Sequence, residues 1–179
     1  MTDTTTLPPL ATLAERIGAT LRERGETVAV AESSAGGLVS AALLAIPGAS
    51  AYFLGGAVVY SRRAGRSLLG LSAPDMVGMR GETEPYANFI ADRIRGMHRA
   101  TWGICESGAA GPLGSPYGDA PGHVCLAVAG AVSATRTIEN GTTDRPANME
   151  LFARQLLQLF DEILQSKPAD TADQPARPT

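Results

Sequence analysis

The stretch Ala31-Glu32-Ser33-Ser34-Ala35-Gly36-Gly37, entered from Thr27-Val28-Ala29-Val30, decides how this chain of 179 residues is read. Thr27 to Glu32 is a short β-branched and alanine run, the composition of a buried central strand. Ser33 or Ser34 then supplies the N-cap of a helix that continues through Leu38, Leu43 and Leu44 to the break at Pro47-Gly48. Gly36 and Gly37 open that helix. Its unpaired amides and dipole would favour an anionic group such as a nucleotide phosphate, while the same glycines would equally allow close helix-to-sheet contact.

Strands and helices alternate outward from this point. Leu10, Leu13, Ile17 and Leu21 recur at helical spacing and predict an amphipathic helix from about Leu10 to Arg24, stopped by Gly25. Gly55 to Tyr60 reads as a second strand and Arg62 to Leu69 as a short helix. Glu84-Pro85 begins another helix that reaches about His98, with acid and proline in its first turn. Thr101 to Glu106 and His123 to Ala129 are strands separated by a glycine- and proline-rich loop, and Ser133 to Ile138 adds one pairing antiparallel to its neighbour. Met149, Phe152, Leu156, Leu159, Phe160 and Ile163 mark a final amphipathic helix. This order predicts a three-layer α/β/α sandwich formed by one domain over residues 8–166. Residues 1–7 and 167–179 are expected to be disordered tails, the second rich in proline, alanine and aspartate.

Composition narrows the function classes. A hydrophobic content of 44% is that of an ordinary globular core, and a net charge of −3 offers no basic field for nucleic acid. No apolar run approaches the roughly 20 residues that span a bilayer, so a soluble cytoplasmic protein is expected. Cys105 and Cys125 lie in apolar runs and read as small buried hydrophobes. His98 and His123 stand on different elements without ligand spacing, so no metal site is expected.

Four blocks carry a further signal: Ala31 to Gly37, Gly48-Ala49-Ser50, Tyr60-Ser61-Arg62-Arg63-Ala64-Gly65, and Ser107-Gly108-Ala109-Ala110-Gly111-Pro112. In these the chain resembles the CinA C-terminal-domain family over roughly Leu10 to Ile163; there the blocks read approximately A-E-S-C-T-G-G, G-S-S, Y-S-N-E-A-K and S-G-I-A-G-P. The family's enzymatic members are nicotinamide mononucleotide deamidases, which cleave the pyridine carboxamide and release ammonia. The resemblance implies a mixed, mostly parallel sheet, no cofactor, a small-molecule substrate and a homo-oligomer, most simply a dimer. It also implies that Ser50 is the nucleophile and that Tyr60 assists proton transfer. The family's lysine falls on Gly65 and is therefore absent.

A carboxamide resists hydrolysis because its carbonyl is resonance-stabilised and ammonia leaves poorly, so a nucleophile, a base and an oxyanion site are all needed. Glycine at position 65 offers no base. Arg62, Arg63 and Arg66 lie beside it, but a guanidinium stays protonated near neutrality. Substrate-binding expectations fall on Ser33, Gly36, Gly37, Arg63, Arg66, Gly108, Ala109, Gly111 and Arg145, the last through its forked donors. Glu32, Glu84 and Glu106 are further acid or base candidates for which capping is the commoner fate. Three readings follow: an amidohydrolase, a relative impaired by the loss at Gly65 that binds a nucleotide or related metabolite, or a purely structural subunit of an oligomer.

Overall fold

The helical spacing of Leu13, Ile17 and Leu21 buries all three, and the helix they define, α1 (Leu10–Arg24), ends where Gly25 turns left-handed at φ 64°. The computed structural model describes residues 7–166. After α1 come β1 (Val28–Glu32), α2 (Leu38–Leu44), β2 (Phe53–Val58), α3 (Arg62–Leu69), α4 (Glu84–His98), β3 (Trp102–Ala109), β4 (His123–Ala129), β5 (Ala134–Glu139) and α5 (Arg145–Ser166). Apart from Leu7, the two predicted tails lie outside the described residues.

The five strands form one sheet in the order β2-β1-β3-β4-β5. β1 pairs parallel with β2 and β3, and β4 pairs antiparallel with β3 and β5. Four strands therefore run one way and β4 alone runs against them, which is the mixed, mostly parallel α/β sheet expected. β1, β3 and β4 are buried at every residue, whereas the edge strands β2 and β5 alternate. The continuous apolar run of β1 is what burial on both faces demands.

Each face has its own core. Val28 and Val30 pack with Leu13, Ile17, Val39, Phe152 and Phe160, beneath α1, α2 and α5. Ala29 and Ala31 turn the other way, toward Ile90 and Ile94 of α4. The α4 face of the sheet is built from small residues, including Cys105, Cys125, Ala127 and Ala129. This lets α4 approach so closely that a Cβ on Gly103 would run into the Ala91 carbonyl oxygen. Both cysteines are free and buried there, and burial pushes both thiols up.

Two predicted details need correction. β2 ends at Val58, so Tyr60 stands beyond the strand rather than closing it. Neither Ser33 nor Ser34 caps α2; the helix begins after Gly37, left-handed at φ 101°, with no side-chain cap from that residue. Its start is held instead by Glu32 at the end of β1, which accepts the amides of Gly37, Val39 and Ser40 at 2.9, 3.0 and 2.8 Å and the Ser40 hydroxyl at 2.7 Å. The chain thus supplies its own anion to the helix terminus suggested for a phosphate.

Candidate functional site

Because β1, β2 and β3 run parallel, the loops after them open at one end of the sheet, the position where α/β sheets usually receive ligands. A cavity of about 590 Å³ lies there. Ser33 and Ser34 follow β1, Tyr60 to Arg62 follow β2, and Gly108 to Gly111 leave β3; all line it, with the loop 113–117 opposite.

Glu106 fixes the wall next to β1. It stands opposite Glu32 in the strand register, accepts the amides of Ser33 and Ala35 at 2.9 and 2.8 Å, and takes the Ser34 hydroxyl at 2.5 Å. Burial pushes the Glu106 carboxyl up, these hydrogen bonds pull it back, and the neighbouring Glu32 adds to the rise. Glu84 is also occupied, accepting the hydroxyls of Thr135 and Thr137. All three carboxylates are thus committed to local structure.

Arg145, the first residue of α5, spans the mouth. Its Nη1 donates to the Gly111 carbonyl at 2.6 Å and its Nη2 to the Tyr60 hydroxyl at 3.1 Å, while its guanidinium lies 5.9 Å from the Tyr60 ring centre. Asn148, buried one turn further along α5, donates to the Ala110 and Thr142 carbonyls and holds the Gly111 loop against the helix. Opposite, Arg62 donates to the Tyr117 hydroxyl at 3.3 Å. That loop is clamped by Asp119, which accepts both terminal nitrogens of Arg80 and the Ser115 hydroxyl. The Arg80 hydrogen bonds hold the Asp119 carboxyl down at about 2.

Glu82, also in the lining, has a left-handed backbone at φ 54°. Its amide donates to the Ser107 hydroxyl at 3.2 Å, and its carbonyl lies 2.9 Å from His123 Nε2. Its Oε2 is buried without a hydrogen-bond partner. Burial pushes the carboxyl up, Asp119 adds to the rise, and Arg80 and His123 oppose it.

Of the residues singled out in the sequence, Ser33, Tyr60, Gly108, Ala109, Gly111 and Arg145 come together around the cavity. Gly36 and Gly37 do not line it, and Arg63 and Arg66 lie exposed on α3; Arg62 is the arginine of that helix that reaches the cavity. Ser50 is exposed in the short turn Ala49–Ala51 before β2, whereas Tyr60 follows the far end of that strand. About 20 Å of extended chain separates the two positions. Gly65 is buried in α3, outside the lining. Glu82, Tyr86, Ser107 and Tyr117 also line the cavity, beyond the site residues that the sequence suggests. Ser107 stood in a quoted block, and Glu82 carried no periodic or motif signal.

Known proteins match this chain in sequence and fold. The family model described as CinA C-terminal domain matches residues 10–164. A CinA-like protein of Synechococcus sp. strain CC9902 is 43% identical over 119 residues, covering 66% of this chain and 28% of its own length. One from Anaeromyxobacter sp. strain Fw109-5 is 38% identical over 146 residues, covering 79% and 35%. The chain therefore spans only about a third of such relatives. Among solved structures, a CinA superfamily protein from Klebsiella pneumoniae superposes with a TM-score of 0.82 at 27% identity, covering 89% of this chain and 100% of that one. Another, from Enterobacter cloacae, gives 0.80 at 29% identity, covering 87% and 92%. The chain belongs to the CinA C-terminal domain family.

Proposed function

We propose that this protein hydrolyses the carboxamide of a small anionic substrate with release of ammonia, nicotinamide mononucleotide being the first compound to test. The observation that carries the reading is the bridge from Arg145 to Gly111 and Tyr60, which places a guanidinium and a phenol together beyond the strand ends. Arg62 and Arg145 give the cavity the positive charge that suits a phosphate or carboxylate. The Tyr60 hydroxyl, held by Arg145 and 62% exposed as a residue, is placed to meet a reacting group.

Ser50 enters this reading as a residue of a second copy. β2 is a sheet edge on which Leu54 and Val58 are 42% and 43% exposed. Antiparallel pairing of two such edges about a two-fold axis sets the start of one β2 beside the end of the other, and hence the partner's Ser50 near Tyr60. The second reading, a relative that binds but does not cleave, is favoured by glycine at position 65.

Incubation of the purified protein with nicotinamide mononucleotide and a panel of other amides, following ammonia, decides between the two. Release that is lost in Tyr60→Phe or Arg145→Ala supports hydrolysis in this cavity. Stabilisation against heat by the nucleotide without ammonia release supports the binding reading.

A further inference from the structure

Four side-chain atoms among the described residues are buried without a hydrogen-bond partner: Glu82 Oε2, Asn88 Oδ1, Arg154 Nε and Gln158 Oε1. Of these residues Glu82 alone lines the cavity. The other acids near this end of the sheet are all engaged, Glu32 and Glu106 by backbone amides, Glu84 by two threonines and Asp119 by Arg80 and Ser115. An orphaned buried carboxylate oxygen costs stability, and so does a left-handed backbone at a residue other than glycine. Both costs fall on one residue in the wall of the cavity, the pattern of a site that keeps strain for use.

We propose that Glu82 is the general base of this cavity and supplies the proton transfer for which Gly65 has no side chain; the proposal rests on the hydrolytic reading above. As the attacking hydroxyl oxygen bonds to the carboxamide carbon, its proton moves to Glu82 Oε2. When the carbon–nitrogen bond breaks, that proton passes to nitrogen, which leaves as ammonia. A water molecule then attacks the acyl group by the same route, its proton returning through Glu82 to the departing serine oxygen, and the carboxylic acid is released.

The surroundings suit the role. Ser107 pins the Glu82 amide and His123 lies against its carbonyl, so the backbone is held from β3 and β4. The titratable groups acting on its carboxyl are Asp119, Arg80 and His123; Tyr86 of α4 lines the same cavity, its own phenol pushed up to about 12 chiefly by burial. Burial outweighs Arg80 and His123 and raises the carboxyl above its ordinary value, which makes it a stronger base.

The test compares wild type, Glu82→Gln and Glu82→Gly in ammonia release from the best amide substrate across pH, with binding followed by thermal stabilisation. Glutamine keeps the shape, and glycine accepts the left-handed backbone, so both variants are expected to fold. The expected result is a loss of 10²- to 10⁴-fold in kcat for Glu82→Gln with binding kept within about threefold, and recovery of Glu82→Gly by added formate. The wild-type rate should also rise with pH through a midpoint above the ordinary carboxylate range, a limb missing from the residual rate of Glu82→Gln. Wild-type activity with Glu82→Gln within threefold of it overturns the assignment and leaves the hydrolytic reading standing. Absence of ammonia release by wild type from every amide overturns both.

Discussion

A Cβ placed on Gly65 stands 3.0 Å from Leu71 Cδ1 and 3.7 Å from Val59 Cγ1, so the leucine occupies the space that a longer side chain at 65 would need. Gly65→Lys alone is therefore expected to cost about 1–3 kcal/mol of stability through overpacking, despite the better helix propensity of lysine. Gly65→Lys combined with Leu71→Ala should return to within about 1 kcal/mol of wild type, and of the two only the double variant should raise ammonia release. Urea denaturation with an ammonia assay checks both parts; a single variant as stable as wild type contradicts the packing argument.

Arg145 uses two nitrogens for two partners on different loops, a task that a lysine ammonium cannot repeat with the same geometry. Arg145→Lys should weaken nicotinamide mononucleotide binding about tenfold or more, some 1.4 kcal/mol of lost ligand stabilisation at saturating concentration. Melting temperature measured against ligand concentration gives the answer, and an unchanged dependence would remove Arg145 from the binding wall.

The Arg80–Asp119 pair sets a pH window. A carboxyl held near 2 in the folded chain titrates near 4 when unfolded, so its contribution is complete above about pH 4 and is lost as pH falls toward 2. With Arg80 partly exposed, solvent screening leaves about 1–2 kcal/mol at neutral pH. Asp119→Asn should lower stability by that amount at pH 7 and by almost nothing at pH 2. Denaturation at the two pH values suffices, and an equal loss at both would assign the effect to shape rather than charge.

If the partner's Ser50 serves the cavity that holds Tyr60, two separately inactive variants should complement one another. Mixing unfolded Ser50→Ala and Tyr60→Phe chains and refolding them together should restore about a quarter of wild-type activity, since half of random dimers are mixed and each holds one intact site. Recovery near zero, with mixed dimers verified by mass, would return Ser50 to its own chain or remove it from the chemistry.

Much of the fold is legible in local sequence because its determinants are local. The spacing of Leu13, Ile17 and Leu21 and the alternation of valine and alanine in β1 need only a helix or a pleat to declare their faces. Three-dimensional encounters are less visible. Nothing between Ser33 and Ser40 announces that the amides of the α2 start will be met by Glu32 and those of the preceding turn by Glu106, a residue more than 70 positions away. In the site, Tyr60 stands in a quoted block whereas Arg145 belongs to none, and the choice among Arg62, Arg63 and Arg66 depends on which side of α3 faces the loop carrying Tyr117. Glu82 was invisible because what distinguishes it, a backbone angle and a missing partner, exists only once the chain has closed around it.

The carboxylates of Glu32 and Glu106 have a consequence for the timing of order. The turn between β1 and α2 has its amides satisfied from within, so its conformational entropy is lost during folding and not when a ligand arrives. Hydrogen exchange at Ala35, Gly37, Val39 and Ser40 should accordingly be slow in the unliganded protein and change little on binding. Under the proposed function a ligand would meet a wall already set, and discrimination among ligands would fall to Arg62, Arg145 and Tyr60, which line the same cavity without bonding to that turn.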